Sequence, residues 1–527
     1  MIKTDIILPI GYTEDDIKAS LCSVLPIKVS EITETAILKR ALDVSDKSNV
    51  KYKATVALSL SEEREAGLLK MKKKVALAPD YTLDIPKSRL KHRPVVVGSG
   101  PAGLFAALIL AEAGARPTVL ERGLPVEERD NKVRLFSTLG ILDPECNVQF
   151  GEGGAGTYSD GKLKVGAMDK VKMRILREFV DAGADPSILF STGAHVGTDK
   201  LSGIVRTVRE RIITLGGEFI YSAKFTAPRL SDGCVVGAEY EKDGEKFVIE
   251  TDRIILAIGH SAHDTLESLL KLGIKMTARG FGIGFRIEHP REYINELIYG
   301  KDYDSRLETA SYHLVTHLPC GRSAYSFCMC PGGTVVPAAS EYGGIVTNGM
   351  SEYKRGAENS NAALLVSVTP SDFESDSPLA GIHLQRKIEN AAFTLAGADY
   401  KAPVTTLGDF MEKRTPRDTC GVVPSYSIGT VPLMAESYMP DFVTDTLRTA
   451  IVDFDNWLPG YRLSEAVLTA PETRTTSPVR IERDDKMQTL GIIGLYPVGE
   501  GAGYAGGIIS SAADGARCAL FVLEEAK

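Results

Sequence analysis

The spacing of hydrophobic and polar positions changes several times along the 527 residues, and each change predicts an element. "DIILPI" (5–10) is a strand-like apolar run. "TEDDIKASLCSVL" (13–25) sets Ile17, Leu21 and Leu25 at helical spacing behind a threonine and three acids, the order that suits a helix N-terminus. "ETAILKRALDV" (34–44) and "KYKATVALSL" (51–60) predict strands, "SEEREAGLLKMKKK" (61–74) a helix with acids first and lysines last, and "VALAP" (75–79) a closing strand. After a proline-rich polar stretch (79–94), "PVVVGSGPAGLFAALILAEAGARPTVLERG" (94–123) predicts strand, glycine turn, small-residue helix and a second strand ending on an acid. Helices are expected near 167–183 and 200–215. "EFIYSAKF", "CVVGAEYE", "EKFVIET" and "DRIILAIG" then alternate between turns and predict a β-meander that returns to the main sheet.

These elements divide the chain into a small module (1–90), a nucleotide domain (91–274), a substrate-covering region (275–405), a return segment (406–490) and a C-terminal piece of the nucleotide domain (491–527). The expected fold class is α/β: a Rossmann-like domain with a β-meander, an inserted α+β substrate domain and an N-terminal α+β module. The order of elements in that module is ferredoxin-like.

The turn Gly98-x-Gly100-x-x-Gly103 carries the first chemistry. Gly98 permits the tight turn, Gly100 leaves the backbone open to a pyrophosphate, and Gly103 lets the helix pack on the sheet. The helix start attracts a diphosphate. Glu121, closing the second strand, can accept both hydroxyls of an adenosine ribose and would repel a 2′-phosphate. Two later stretches decide between dinucleotides. "DRIILAIGH" ends a strand at Ala257 and Gly259, and "YPVGEGAGYAGGI" opens a helix near the C-terminus. A nucleotide domain split in this way suits FAD, which extends across distant segments, better than a contiguous NAD domain.

Composition changes little. With 43% hydrophobic and 25% charged residues the chain is ordinary for a soluble protein, and its net charge of −8 disfavours nucleic acid or anionic lipid as a partner. No secretory signal or membrane span is expected. Eight scattered cysteines suit a reducing, cytoplasmic setting. The pair Cys328 and Cys330 in "CMCPGG" is expected to line a pocket rather than form a redox disulfide, because a CxC bridge is strained. No metal site is expected, since no second Cys/His pair has matching spacing. The lysines of "KMKKK" (70–74) read as a solvated helix end.

With these residues in place the chain resembles the glutathione-reductase-like FAD proteins. Within them it resembles a family of uncharacterised FAD-dependent dehydrogenases. The resemblance rests on "FGEGGAGTYSDGKL" (150–163), "FGIGFRIEHP" (281–290), "FCMCPGGTVVPAASE" (327–341), "ETRTTSPVRI" (472–481) and "YPVGEGAGYAGGIISSAADG" (496–515). It implies non-covalent FAD, with Gly98, Gly100, Pro101, Ala102 and Gly103 at the pyrophosphate and Glu121 at the ribose. Arg122 and the backbone of Phe225 would lie on the adenine side, Gly499 and Glu500 near the ribityl chain, and Gly506, Gly507 and Ile508 at the flavin pyrimidine. In the glycine-rich 150–163 loop, Gly154, Gly156, Ser159, Asp160 and Lys162 are expected to touch the cofactor.

Candidates for catalysis are His260 and His263, with Asp264 as an orienting acid, and Arg474 and Arg480 as clamps for a carboxylate or a nicotinamide phosphate. The alternative for each is a capping, solvated or ion-paired structural role. The expected activity is oxidoreduction of a small molecule by hydride transfer at flavin N5, either its reduction with NADH or NADPH as a visiting donor or its oxidation with electrons passed to an acceptor. A second expectation is an FAD-containing RNA-modifying protein, and a third a flavin binder without turnover.

Overall fold

The computed structural model describes residues 1–70, 74–416 and 421–525. A five-stranded parallel sheet sits at its centre, in the order Leu495–Pro497, Ile254–Leu256, Val95–Val97, Thr118–Leu120 and Glu218–Ile220. The four strands before the edge strand Glu218–Ile220 are buried over their three residues. Covered on both faces, such strands read as unbroken apolar runs. The helix Pro101–Glu112 starts at Gly100 with proline in its first turn, where the missing N–H costs nothing. It is buried from Ala102 to Ala111 and packs against the C-terminal helix Ile508–Glu525, so closely that a Cβ on Gly515 would lie 2.0 Å from Ala102 O. The helices Lys170–Asp181 and Thr198–Thr214 complete that layer. The strands Lys224–Ser231, Cys234–Lys242 and Glu245–Glu250 form an antiparallel meander, from which the chain returns to the parallel sheet.

A second, seven-stranded sheet takes the order Val315–His317, Ser323–Cys330, Asn359–Val368, Phe281–Pro290, Val467–Glu472, Ala402–Thr406, Thr430–Pro432. It draws on both sequence stretches expected to cover the substrate, and the boundary placed at 405 falls inside the strand Ala402–Thr406. The helices Ala380–Leu395 and Asp441–Trp457 bury Ile388, Ala392, Leu447 and Phe454 in its core.

The N-terminal residues form a four-stranded antiparallel sheet in the order Glu34–Asp43, Lys51–Ser59, Ile2–Pro9, Ala76–Leu77. Its helix Glu14–Val24 is closed by a capping box between Thr13 and Asp16. Its second helix is described over Glu62–Leu69, and of the lysine run expected at its end, Lys72 and Lys73 lie outside the described residues. Arg40 N donates to Phe190 O at 2.7 Å and Thr192 N to Arg40 O at 2.9 Å, which ties this unit to the nucleotide domain. The Arg40 guanidinium lies over the rings of Tyr52 and Phe190 at 4.7 and 5.3 Å. On another side Lys47 Nζ donates to Leu297 O at 2.8 Å, and Leu42, Val44 and Val50 pack on the core of the seven-stranded sheet. The stretch expected to be a linker is also held down: Leu83, Ile85 and Leu90 pack on the nucleotide domain.

Candidate functional site

One cavity of about 270 Å³ runs from the glycine turn to the seven-stranded sheet. Gly98 has φ +95°, and a Cβ there would lie 2.3 Å from Ala257 O. A Cβ on Gly103 would lie 1.8 Å from Gly98 O, so helix and turn can close only with glycine at both positions. The 150–161 loop is laid over the turn, with Gly153 N donating to Ser99 O at 2.9 Å. Gly98, Gly100, Pro101, Ala102, Gly154, Gly156 and Ser159 line the cavity. Gly103 does not, because its work is at the helix–sheet contact.

Glu121 also lines the cavity, but its carboxylate is fully engaged. Oε2 accepts from Ser99 N and Oγ at 2.9 and 2.6 Å, and Oε1 from Gly123 N and Gly151 N at 2.9 and 3.0 Å. Its first task in this structure is to pin the turn to the 150–161 loop. Arg122 lies 4.0 Å over the Phe150 ring and pairs with Asp264 and Glu145. Lys224 joins the same cluster, and Phe225 forms the wall beside it. Asp264 is therefore held by Arg122 and Lys224 and orients no histidine, contrary to the sequence expectation. Burial opposes its ionisation, but these two cations hold its carboxyl well below the usual range.

Beside the turn and the 150–161 loop, Ala257, Gly259, Glu500, Gly506, Gly507 and Ile508 also line the cavity. Gly499 does not: its amide is turned to Asp514 Oδ2 at 2.8 Å. Burial pushes Glu500 up to about 7, against the pull of the Gly507 amide and of Arg279.

The seven-stranded sheet and its loops supply the remaining wall. Asp160 is held by Arg355 (Nε–Oδ1 3.1 Å, Nη2–Oδ2 2.7 Å) and by Ser351, while Lys162 Nζ stands 4.0 Å away. Cys328 and Cys330 are free thiols, and both line the cavity, as do Phe327, Met329, Asn348 and Glu472. Cys328 has φ +39° in a bulge of its strand. That bulge turns its carbonyl to Arg286.

The catalytic candidates separate. His260 lines the cavity with Nδ1 3.0 Å from Ser261 Oγ. Burial, Arg474 and His263 push its pKa down to about 3, which leaves it neutral. His263 is turned away, with Nδ1 3.3 Å from Glu341 Oε2. Arg474 reaches the wall, but Glu389 holds its guanidinium at 3.0 and 2.8 Å, and Ser340 and Glu341 take two further donors. It is a buried structural pair, not a free clamp. Arg480 lies outside the cavity, 5.2 Å over the Tyr504 ring. The sequence signal missed Ser99, whose two donors select the Glu121 rotamer, and Arg286, which stood in a quoted motif without a partner.

Two helix N-termini, at Pro101 and Ile508, open on this one cavity through glycine-rich backbone. That donor set fits a diphosphate at one end and an electron-rich ring at the other. Residues 92–129 match the FAD binding domain family, and residues 280–475 match the family of FAD-dependent protein, C-terminal domain-like sequences. The chain is thus an FAD-dependent flavoprotein with a Rossmann-type cofactor site. It is 42% identical over 520 residues to an uncharacterised protein of Clostridium beijerinckii, covering 97% of both chains. It belongs to the family of that clostridial protein. Among solved structures it is similar at 13% identity to a geranylgeranyl bacteriochlorophyll reductase-like protein of Thermoplasma acidophilum (82% of this chain, 78% of that one, TM-score 0.38). It is similar at the same identity to a flavoprotein/dehydrogenase of Cytophaga hutchinsonii (82% and 79%, TM-score 0.37).

Proposed function

We propose that the protein is an FAD-dependent oxidoreductase acting on a small molecule held between the nucleotide domain and the seven-stranded sheet. The observation that carries this reading is the continuity of one cavity from the Gly98–Gly103 turn to the wall of Phe327, Cys328 and Asn348. In a glutathione-reductase-like arrangement, Gly100, Pro101 and Ala102 would hold the pyrophosphate, and the 506–508 helix start would hold the pyrimidine end of the flavin. Bound FAD supplies hydride transfer at N5. The chain's own groups bind and orient: Glu121 fixes the turn, Asp160 and Arg355 fix the 150–163 loop, and the sheet wall bounds the far end.

Gly282 and Gly284 of "FGIGFR" lie inside the strand Phe281–Pro290 and form no nucleotide turn. This supports a nicotinamide donor that visits rather than resides. The net charge of −8 supports a small-molecule substrate over a nucleic acid.

The test is an anaerobic visible spectrum of the purified protein before and after NADH, then NADPH. Bleaching of a yellow flavin by either supports the proposal and names the donor. A flavin bleached by neither, and by no added reduced substrate, turns the reading toward a binder without turnover.

A further inference from the structure

We propose that the cavity wall built by Lys162, Lys164 and the strand Ser323–Cys330 receives the carboxylate of a small anionic substrate, with the two lysines as its cationic partners. This deepens the oxidoreductase reading above and rests on it.

The argument is a census of charge. Two carboxylates stand at this wall, and each is already held by an arginine: Asp160 by Arg355 through two hydrogen bonds, Glu472 by Arg286 through two more. The wall's own arginine, Arg474, is held in the same way by Glu389. Those pairs balance. Lys162 Nζ lies 4.0 Å from Asp160, beyond hydrogen-bond distance, beside a carboxylate whose charge Arg355 already meets. Lys164 lines the cavity, is solvent-exposed, and has its ammonium 5.3 Å from the Phe327 ring. His260, also at the cavity, is neutral. Asp160 therefore faces two cations, Arg355 and Lys162, and Lys164 adds a further positive charge, so the wall carries more cations than its own carboxylates balance.

The neighbouring polar group adds a donor and no acceptor. Asn348 Oδ1 accepts from Arg286 Nη2 at 2.9 Å and from Gly349 N at 2.8 Å, which leaves its NH₂ as the end available to a ligand. Phe327 and Met329 provide apolar surface beside these donors. Such a wall suits a carboxylate on a small apolar body, held by charge-assisted hydrogen bonds. Burial and Arg355 press against the charge on Lys162 while Asp160 supports it, and a bound anion would add to that support in a setting where water screens little.

Benzoate, benzamide and benzylamine are matched probes, applied to the FAD-loaded full-length protein. Binding is followed by perturbation of the flavin absorption band and, independently of the flavin, by equilibrium dialysis. We expect benzoate to bind at least tenfold tighter than benzamide and benzylamine not to bind. Lys162→Met should weaken benzoate at least tenfold and leave benzamide unchanged, Lys162→Arg should restore most of the loss, and Lys164→Met should weaken benzoate by a smaller factor. Benzoate binding no tighter than benzamide overturns the proposal. So does a Lys162→Met protein that loses FAD but keeps the wild-type preference for benzoate, since the lysine would then serve the cofactor alone. If Lys162→Met does not fold, an unchanged benzoate affinity in both Lys162→Gln and Lys164→Met overturns it. FAD content and bleaching by NADH or NADPH, read on the same samples, report the oxidoreductase reading separately.

Discussion

Arg286 and Glu472, 186 residues apart in sequence, meet in a buried bidentate pair: Nε to Oε2 at 2.9 Å and Nη2 to Oε1 at 2.8 Å. The remaining donors of the same guanidinium reach Cys328 O, Asn361 Oδ1 and Asn348 Oδ1. One side chain thus joins three of the sequence motifs at the cavity wall. Removing one partner of a buried pair leaves the other charge uncompensated, which costs about 3–5 kcal/mol. Arg286→Met should lower stability by an amount of that order, read as a fall in the urea midpoint. Glu472→Gln should cost about as much, because it leaves a buried guanidinium that cannot shed its charge.

Two glycine substitutions should act in opposite directions. A Cβ on Gly103 would overlap Gly98 O, whereas one on Gly203, inside the helix Thr198–Thr214, meets nothing within 4 Å. Gly203→Ala should stabilise by about 0.5–1 kcal/mol through lower backbone entropy in the unfolded chain. Gly103→Ala should lower both the melting temperature and the FAD content. Thermal melts and the ratio of flavin to protein absorbance check both.

Glu500 should give the stability profile a distinct slope. Burial raises its pKa from 4.5 to about 7, so the folded state prefers the neutral acid. The resulting stabilisation is complete below pH 4.5 and is lost as pH rises through about 7. Glu500→Gln cannot ionise. Its melting temperature should fall less than the wild type's between those limits, and should exceed it at pH 8. Parallel slopes for the two proteins would refute the assignment.

Thiol labelling should separate the cysteines by environment. Burial pushes Cys330 up to about 11, so it carries no appreciable thiolate at pH 8. Cys320 is solvent-exposed and Cys330 is buried. Iodoacetamide at pH 8 should modify Cys320 at least tenfold faster than Cys330, by peptide mapping, because the thiolate is the nucleophile.

Local signals in the sequence translated well. The "VVV" strand, the glycine turn and the small-residue helix follow from rules that act within a few residues, and the structure shows them at Val95–Val97 and Pro101–Glu112. The polar partners did not follow. Sequence proximity suggested Asp264 for His263, yet folding gives Asp264 to Arg122 and Lys224 and gives His263 to Glu341. For Arg474 the sequence leaves both a clamp and a structural ion pair open, because Glu389, its partner, lies 85 residues away on the helix Ala380–Leu395. A buried charge must find its counter-ion in space, and linear order holds no record of that distance.

The attachment of the N-terminal sheet to both larger units limits how the protein can move. Arg40 is bridged to the Phe190–Thr192 segment on one side, and Lys47, Leu42, Val44 and Val50 are seated against the seven-stranded unit on the other. Separating those units as rigid bodies would break backbone hydrogen bonds and expose apolar side chains together. The N-terminal sheet works as a strut, so ligand exchange should proceed through rotamer changes and loop shifts at the cavity mouth, with the two large sheets keeping a fixed spacing.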